Sequence, residues 1–526
     1  MPAGISTINN GPRNYSKGVD WTYLFFLFLI TNQAMVSLKV LGIIFIFIMR
    51  PNFKFGFSQD RIPKFYPYIL LLSVLSLLIH IRDFSSNYLV AFLVGNLYWL
   101  FGLLTFHQTR ISLGKYGPEG MNKLLKVFSV LNLAFSIYQL VQIMMITGKI
   151  NPYSKLPFPY GMSTGDNIYG FFMESSYYNM MVSAVLSVYF LYKKNLFFAL
   201  VSITTLILVF GNFGTLVFFG ILAAMLFCGI LARIAGAKKG TFLYNIAPRG
   251  NFGLYIPGVA IYILLFFVFM SPENMGYIVE KVKSKVFSAD VSANNYRNII
   301  KNSPNPKPEA FDLDAEQPKV AIGRAPVYSL GEQGSVLGTQ STPLEARKKM
   351  SYDYIHKLQG KALSIKETSQ FLQSSPGNLL FGAGTARFSS LTAQKMSGFD
   401  SSRIFMNILP RFTSPDYAQN HKLLVQARYD SENEYRSNAN WPDSVYNHIV
   451  GEYGILGAGI FIMFYLWYFV KRIKYYTYGF WIFAMMIPFA SLSYMFEALS
   501  IIVFFELLAI TNVEETKQMN NVVAKQ

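Results

Sequence analysis

A histidine and a glutamate stand one helical turn apart at His448 and Glu452, within Pro442-Asp443-Ser444-Val445-Tyr446-Asn447-His448-Ile449-Val450-Gly451-Glu452-Tyr453-Gly454-Ile455-Leu456-Gly457. On a helix, side chains four residues apart share a face. An imidazole titrates near neutral pH and can accept or orient a hydroxyl proton, and a neighbouring carboxylate can hold the ring's tautomer. The same spacing also suits a helix start whose polar residues sit at the lipid headgroup level. Asp443 or Ser444 can cap that start, and Pro442 suits the turn before it. Gly451, Gly454, Gly457 and Gly459 would let another helix approach closely. Glu174, in Tyr-Gly-Phe-Phe-Met-Glu-Ser-Ser-Tyr-Tyr (169–178), heads an apolar run. A carboxylate is costly there unless solvated or paired, or it favours the helix dipole. Gly382 and Gly384, in Leu380-Phe381-Gly382-Ala383-Gly384-Thr385-Ala386-Arg387-Phe388, could form a backbone nest that accepts a phosphate.

Other chemistries find no support. His-Glu-x-x-His, a Walker loop, an EF-hand and a dinucleotide fingerprint are absent. The histidines at 80, 107, 356, 421 and 448 show no metal spacing, and the single cysteine, Cys228, excludes an intrachain disulfide and a Cys-based metal site. No metal and no cofactor is expected.

The elements that must carry these residues are membrane helices. Of 526 residues, 52% are hydrophobic, 17% aromatic and only 14% charged, which is the composition of a polytopic membrane protein. The formal charge of +18 is not a nucleic-acid signal, because Lys and Arg cluster in short loops between apolar runs. Apolar runs fall near 21–31, 34–49, 66–81, 88–106, 124–147, 176–192, 196–210, 212–231, 254–271, 446–470, 478–494 and 496–512. Several are shorter than the roughly 20 residues a span needs, so about twelve spans is the expectation. The first two runs could be one bent helix, and 196–231 one long run. No small-residue cleavage site follows the first run, so it reads as uncleaved.

With the N-terminus cytoplasmic, the inside loops carry Arg50/Lys54/Arg61/Lys64, Arg110/Lys115/Lys123, Lys193/Lys194, Arg233/Lys238/Lys239/Arg249 and Lys471/Arg472/Lys474, while the short outside loops carry only Arg82, Lys149 and Lys155. That alternation follows the positive-inside rule and places the polar region 272–445 outside. The chain thus divides into a membrane domain 1–271, an outer domain 272–445, a second membrane domain 446–512 and a cytoplasmic tail 513–526. Within the outer domain, 300–345 is rich in Pro, Gly, Ser and charge and reads as poorly ordered. Residues 346–373 read as a helix with Ile355, Leu358, Ala362 and Ile365 on its apolar side, and 378–388 as a turn. Lys39, Glu497 and Glu506, inside apolar runs, are relay or ion sites, or else paired or snorkelling groups.

Asn-His-x-x-x-Glu-x-Gly-x-x-Gly (447–457) at the start of a late apolar run resembles the end of the large periplasmic loop in the O-antigen polymerase and O-antigen ligase superfamily. Leu-Phe-Gly-Ala-Gly-Thr-Ala-Arg-Phe resembles the glycine signature inside that loop. Phe-Phe-x-Glu-x-Ser at Glu174 resembles a Glu-Pro-Ser motif of some polymerases, with Ser175 in place of proline. The resemblance covers the order of spans, the position of the large loop and these three motifs, not 300–345. It implies an all-α, GT-C-like glycosyltransferase of about twelve transmembrane helices, with a large periplasmic loop domain between helices 9 and 10. The substrate would be a glycan on undecaprenyl diphosphate, polymerised from repeat units, with transfer to the lipopolysaccharide core by a ligase as the alternative.

By that implication, His448 serves the acceptor hydroxyl, Glu452 holds the ring, and Glu174 positions a sugar or is an alternative base. Planar guanidinium groups suit the leaving diphosphate, and Arg387, Arg403, Arg411 and Arg428 are the candidates beside Gly382 and Gly384. Family members commonly carry a Ser-Arg pair where this chain has Gly211-Asn212-Phe213-Gly214-Thr215. An arginine of the large loop must then replace it, or the donor is held differently. The expected partners are the lipid-linked glycan, the bilayer, and a chain-length regulator and flippase, with no nucleic acid. The expected place is the bacterial inner membrane, with both termini cytoplasmic. The rivals are a transporter of lipid-linked oligosaccharide, for which internal repeats and broken helices would be expected, and a non-catalytic assembly protein.

Overall fold

The computed structural model describes residues 15–32, 36–57, 62–81, 84–153, 164–172, 176–209, 211–238, 241–248, 252–270, 360–398, 410–422, 424–425 and 442–523. Among these residues the fold is helical and contains no strand. The sequence dictates this directly: long apolar runs must satisfy their backbone internally, and a helix does so within one segment. The helices are α1 (Trp21–Thr31), α2 (Val36–Met49), α3 (Phe65–Ile79), α4 (Ser86–Thr147), α5 (Ser176–Tyr192), α6 (Leu196–Val209), α7 (Asn212–Ile234), α8 (Phe242–Ile246) and α9 (Phe252–Met270). After them come α10 (Gly360–Gln373), α11 (Pro376–Phe381), α12 (Leu391–Met396), α13 (Val445–Ile460), α14 (Tyr478–Ala490), α15 (Met495–Ala498) and α16 (Ser500–Val523). Among the described residues three stretches are long and apolar enough to cross a membrane: Ser86–Thr147, Phe213–Ile234 and Val445–Tyr475. Six further apolar helices are shorter.

Local chemistry sets the boundaries. Asp20 accepts the Tyr23 amide at 3.0 Å and Ser85 the Tyr88 amide at 3.1 Å, so both cap helix starts. Gly148, left-handed at φ 64°, ends α4. Within α4, Gly117 (φ 66°, ψ −179°) and Pro118 break the helix. Ser112 Oγ donates to Met121 Sδ at 3.9 Å, whereas nine residues of straight helix rise about 13 Å. The two limbs therefore fold back on each other, and the stretch read as an inside loop, 107–123, is helix except at that break. The run 196–231 is two helices separated at Gly211. The last helix continues to Val523, so the tail begins as helix rather than at a boundary.

Contacts sort with the charge pattern. Arg50–Asp20, Arg110–Glu514 (3.4 Å) and Lys193–Glu515 (2.7 Å) join residues on the side read as cytoplasmic. So does Trp481 Nε1 donating to the Ile246 carbonyl at 2.9 Å. Lys361–Asp443 (2.8 Å), Asn87 to the Arg411 carbonyl (3.1 Å) and Asn151 to the Met270 carbonyl (2.9 Å) join residues read as outer. Lys39 is buried and donates to the carbonyls of Ile30 (2.8 Å) and Ala498 (3.2 Å), so it does not snorkel. Glu506 is buried and accepts from Tyr66 (2.6 Å) and Tyr465 (3.0 Å).

The lobe read as outer packs on α13 through α10 and α11, while α12 packs against α4 and α15. In α10 the buried face is Leu363, Ser364, Thr368, Phe371 and Leu372. Ile365, placed on the apolar side by the sequence, is 60% exposed. The reason is that α10 buries a partly polar stripe: Asn447 Nδ2 donates to Ser364 Oγ at 2.8 Å, and Thr368 Oγ1 to Asn447 Oδ1 at 3.4 Å. Ile355 and Leu358, and the stretch 300–345, lie outside the described residues.

Candidate functional site

Ser444 caps α13, accepting the Asn447 amide at 2.9 Å, and this sets the phase that turns His448 and Glu452 inward. Against that face lies the segment 380–388. Its Ala383 amide donates to the Gly451 carbonyl and its Gly384 amide to the Glu452 carbonyl, both at 2.9 Å. Gly382 and Gly454 both have positive φ, 70° and 61°. A Cβ on Gly382 would lie 2.5 Å from the Glu452 carbonyl carbon, and one on Gly454 2.4 Å from the Leu380 oxygen. A Cβ on Gly451 would lie 2.2 Å from Phe388 Cδ1. Backbone meets backbone, and no larger residue fits. Gly451 and Gly454 thus admit this lobe rather than a neighbouring membrane helix, whereas Gly457 and Gly459 face Tyr453 and Met463 of their own helical stretch.

Glu452 is fully buried, and its carboxylate accepts the amides of Ala386 (3.0 Å) and Phe388 (3.4 Å). Ala386 is held left-handed at φ 60°, an uncommon conformation for a residue with a side chain. The turn does form an anion-accepting arrangement of amides, but the anion is the protein's own Glu452. Gly382 donates to the Asn378 carbonyl, so the glycine amides expected to take a phosphate are used within the fold.

His448 sits between two carboxylates. Its Nε2 is 3.5 Å from Glu452 Oε2 and its Nδ1 is 3.9 Å from Glu497 Oε2. Nε2 is the nitrogen near hydrogen-bonding distance of a carboxylate; Nδ1 is close to Glu497 but makes no hydrogen bond among the described residues. Glu497 also binds the outer lobe, accepting the amides of Leu391 (2.5 Å) and Thr392 (3.1 Å) and the Thr392 hydroxyl (2.6 Å) at the start of α12. The Trp99 ring stacks on the imidazole at 5.4 Å and 24°, and its Nε1 donates to Tyr453 OH at 2.7 Å. Thr385 donates to the same phenol at 3.2 Å and shares a 2.6 Å hydrogen bond with Ser73. His448 exposes 2% of its surface, and Glu452 and Glu497 are equally enclosed. The triad is closed to solvent in this structure.

Arg387, in the middle of the turn, is buried beside it. Its guanidinium lies 5.2 Å over the Tyr88 ring, and Nη2 is 3.7 Å from Asp416 Oδ2. The Ser414 hydroxyl donates to the Arg387 carbonyl, which ties the turn carrying Asp416 to this segment. Arg411 is exposed, with its carbonyl bonded to Asn87, next to Tyr88. The two arginines thus approach the first turn of α4 from the outer lobe. Phe388 stacks on Phe371 (4.5 Å, 27°) and meets His421 at 4.7 Å. Burial pushes the His421 imidazole down to about 4.

Glu174, Arg403 and Arg428 lie outside the described residues. His448, Glu452, Gly382, Gly384 and Arg387 are brought together. Glu497 was legible as an acid inside an apolar run but not as a partner of His448, and Trp99 and Thr392 carried no signal. The chain matches no protein-family profile, no curated protein and no solved structure.

Proposed function

We propose that the chain is a membrane glycosyltransferase that polymerises repeat units carried on undecaprenyl diphosphate, at the outer face of a bacterial inner membrane. The observation that carries this reading is the interlock of the two motifs: the glycine turn 380–388 closes on His448 and Glu452 by backbone hydrogen bonds. They lie at least 60 residues apart in sequence, as Phe388 and His448 do, yet act as one unit. Arg387 emerges from that turn as a buried cation.

In this reading a hydroxyl of the acceptor attacks the anomeric carbon of the donor sugar. The bond from that carbon to the diphosphate oxygen breaks, and undecaprenyl diphosphate leaves with the bonding electrons. Arg387 neutralises the leaving charge, as a planar guanidinium does for phosphate oxygens. His448 takes the hydroxyl proton, with Glu452 and Glu497 orienting the ring. Because the triad is enclosed, the outer lobe must part from α13 when an acceptor binds. The chain path that fits is twelve crossings with both termini cytoplasmic and 272–445 outside, supported by contacts that join residues of one predicted side only.

The closure of the triad favours a second reading, in which His448, Glu452 and Glu497 are a clasp that shapes the lobe while chemistry or binding occurs at Arg387. A gel of surface glycans from cells lacking the gene, complemented with wild type or His448→Ala at matched protein levels, separates the readings. A polymerase gives a ladder reduced to one repeat without the gene or with the variant. A ligase gives cores without glycan and polymer left on the carrier lipid. An unchanged ladder with His448→Ala removes the base role and leaves the clasp.

A further inference from the structure

Lys39, on the apolar helix α2, takes no part in the chemistry above, yet it is buried. Its ammonium donates to the Ile30 carbonyl at 2.8 Å and to the Ala498 carbonyl at 3.2 Å. A cation among apolar helices is costly, so a lysine kept there with its head bonded points to a task. Ile30 lies in the last turn of α1 and Ala498 ends α15, so both carbonyls belong to helix ends, where a helix supplies no amide of its own. Ala498 also stands at a break. Leu499 is left-handed, at φ 63° and ψ −32°, a costly conformation for a residue with a side chain. The helical ladder resumes with the Val503 amide donating to the Leu499 carbonyl at 3.1 Å. The carbonyl before the break is taken by Lys39 and by the Ser500 hydroxyl, at 3.3 Å.

The break decides where Glu497 points. Glu497 precedes Ala498, and its carboxylate lies 3.9 Å from His448 Nδ1 while accepting the Leu391 and Thr392 amides at 2.5 and 3.1 Å. Were Leu499 to relax to a right-handed helix, α15 and α16 would run on as one helix and the turn that aims Glu497 would be lost. We propose that Lys39 is a positioning residue of the His448 unit: by holding the Ala498 carbonyl it fixes the break at Leu499, and with it the placement of Glu497 between His448 and α12. The link to catalysis rests on the function proposed above; the placement of Glu497 does not. An ammonium suits the task because its three donors reach two carbonyls at once, tying the end of α1 to the end of α15.

The test is hydrogen exchange resolved to single amides, on the full chain in nanodiscs. In Lys39→Met the Leu391 and Thr392 amides, held by Glu497, are expected to exchange about tenfold to a hundredfold faster, while those of Ala386 and Phe388, held by Glu452, change less than about threefold. Lys39→Arg, which keeps donors and charge, should stay within about threefold of wild type at all four. Ser500→Ala, a milder change at the same carbonyl, should speed the Leu391 and Thr392 amides about threefold, and it carries the comparison if Lys39→Met does not fold. Because Lys39 acts through Glu497, Lys39→Met added to Glu497→Gln should bring little further acceleration. Equal acceleration of both pairs of amides would make Lys39 a general support of the fold and overturn the positioning role. No change at either pair, or additive effects in the double variant, would overturn it too. The exchange readout needs no substrate. Selective acceleration with a wild-type rate of glycan transfer in Lys39→Met would keep the placement of Glu497 and overturn its part in the reaction.

Discussion

At the scale of residues, the most informative group is Glu452. Its carboxylate takes two amides from the outer lobe and one edge of His448, so it holds the lobe as well as the ring. Glu452→Gln keeps the shape but replaces a charged acceptor with a neutral one. It is predicted to cost roughly 1.5–3 kcal/mol, read as a lower melting temperature in detergent. An unchanged melting temperature would show that those amides do not depend on the charge. His421 makes a separate prediction outside the membrane helices. The unfolded ring takes a proton near its ordinary value of 6.5, and the folded ring only near 4. Between these values the unfolded state binds more protons, so stability falls as pH drops below about 6.5 and the loss is complete below about 4. At full extent this is roughly 3 kcal/mol, and melting curves of His421→Phe should lack that part of the acid dependence.

At the scale of elements, the site depends on where helices stop being regular. Gly454 breaks α13 six residues after His448, nearly two turns on, and the Gly382 turn fits against it. Gly454→Ala combines positive φ with a Cβ 2.4 Å from the Leu380 oxygen. It should loosen the lobe by about 1–3 kcal/mol, seen as faster proteolysis in 360–398 while α4 stays protected. The motifs were legible in the sequence because glycines at fixed spacing beside His and Glu are unusual in an apolar run. Their assignment was not: the Gly382 and Gly384 amides bond backbone carbonyls, and the amides that hold an anion are those of Ala386 and Phe388, on the Glu452 carboxylate, since nothing in spacing shows which acceptor lies within reach. The buried face of α10 was misjudged at Ile365 because Ser364 and Thr368 are buried by hydrogen bonds to Asn447, and hydrophobic periodicity does not register such contacts. Glu497 was visible as a charge in an apolar run, while its meeting with His448 is a tertiary contact between two separate helices.

At the scale of the whole molecule, apolar runs gave the long helices α1–α7, α9, α13, α14 and α16, because an uninterrupted apolar stretch has few other stable forms in lipid. They did not give the short α8, α11 and α12, nor the reversal inside α4, where Gly117 and Pro118 replace an expected loop with a sharp break. Sidedness was read from Lys and Arg alone. A protein with Cys228 replaced and one cysteine introduced at Gln370 or Glu119, both exposed, tests it. In intact spheroplasts a membrane-impermeant maleimide should label the first and not the second. The reverse pattern would invert the molecule and place the triad on the cytoplasmic side.

The central claim, that this chain itself transfers a lipid-linked glycan through the unit built on His448, Glu452 and Arg387, is tested most directly by reconstituting the purified protein in liposomes with a lipid-linked repeat unit and following chain growth. The account predicts polymer from the single protein. It also predicts a loss of about 10²- to 10⁴-fold in rate for His448→Ala at unchanged melting temperature, and at least a comparable loss for Arg387→Ala. Polymer formed at the wild-type rate by both variants would contradict it.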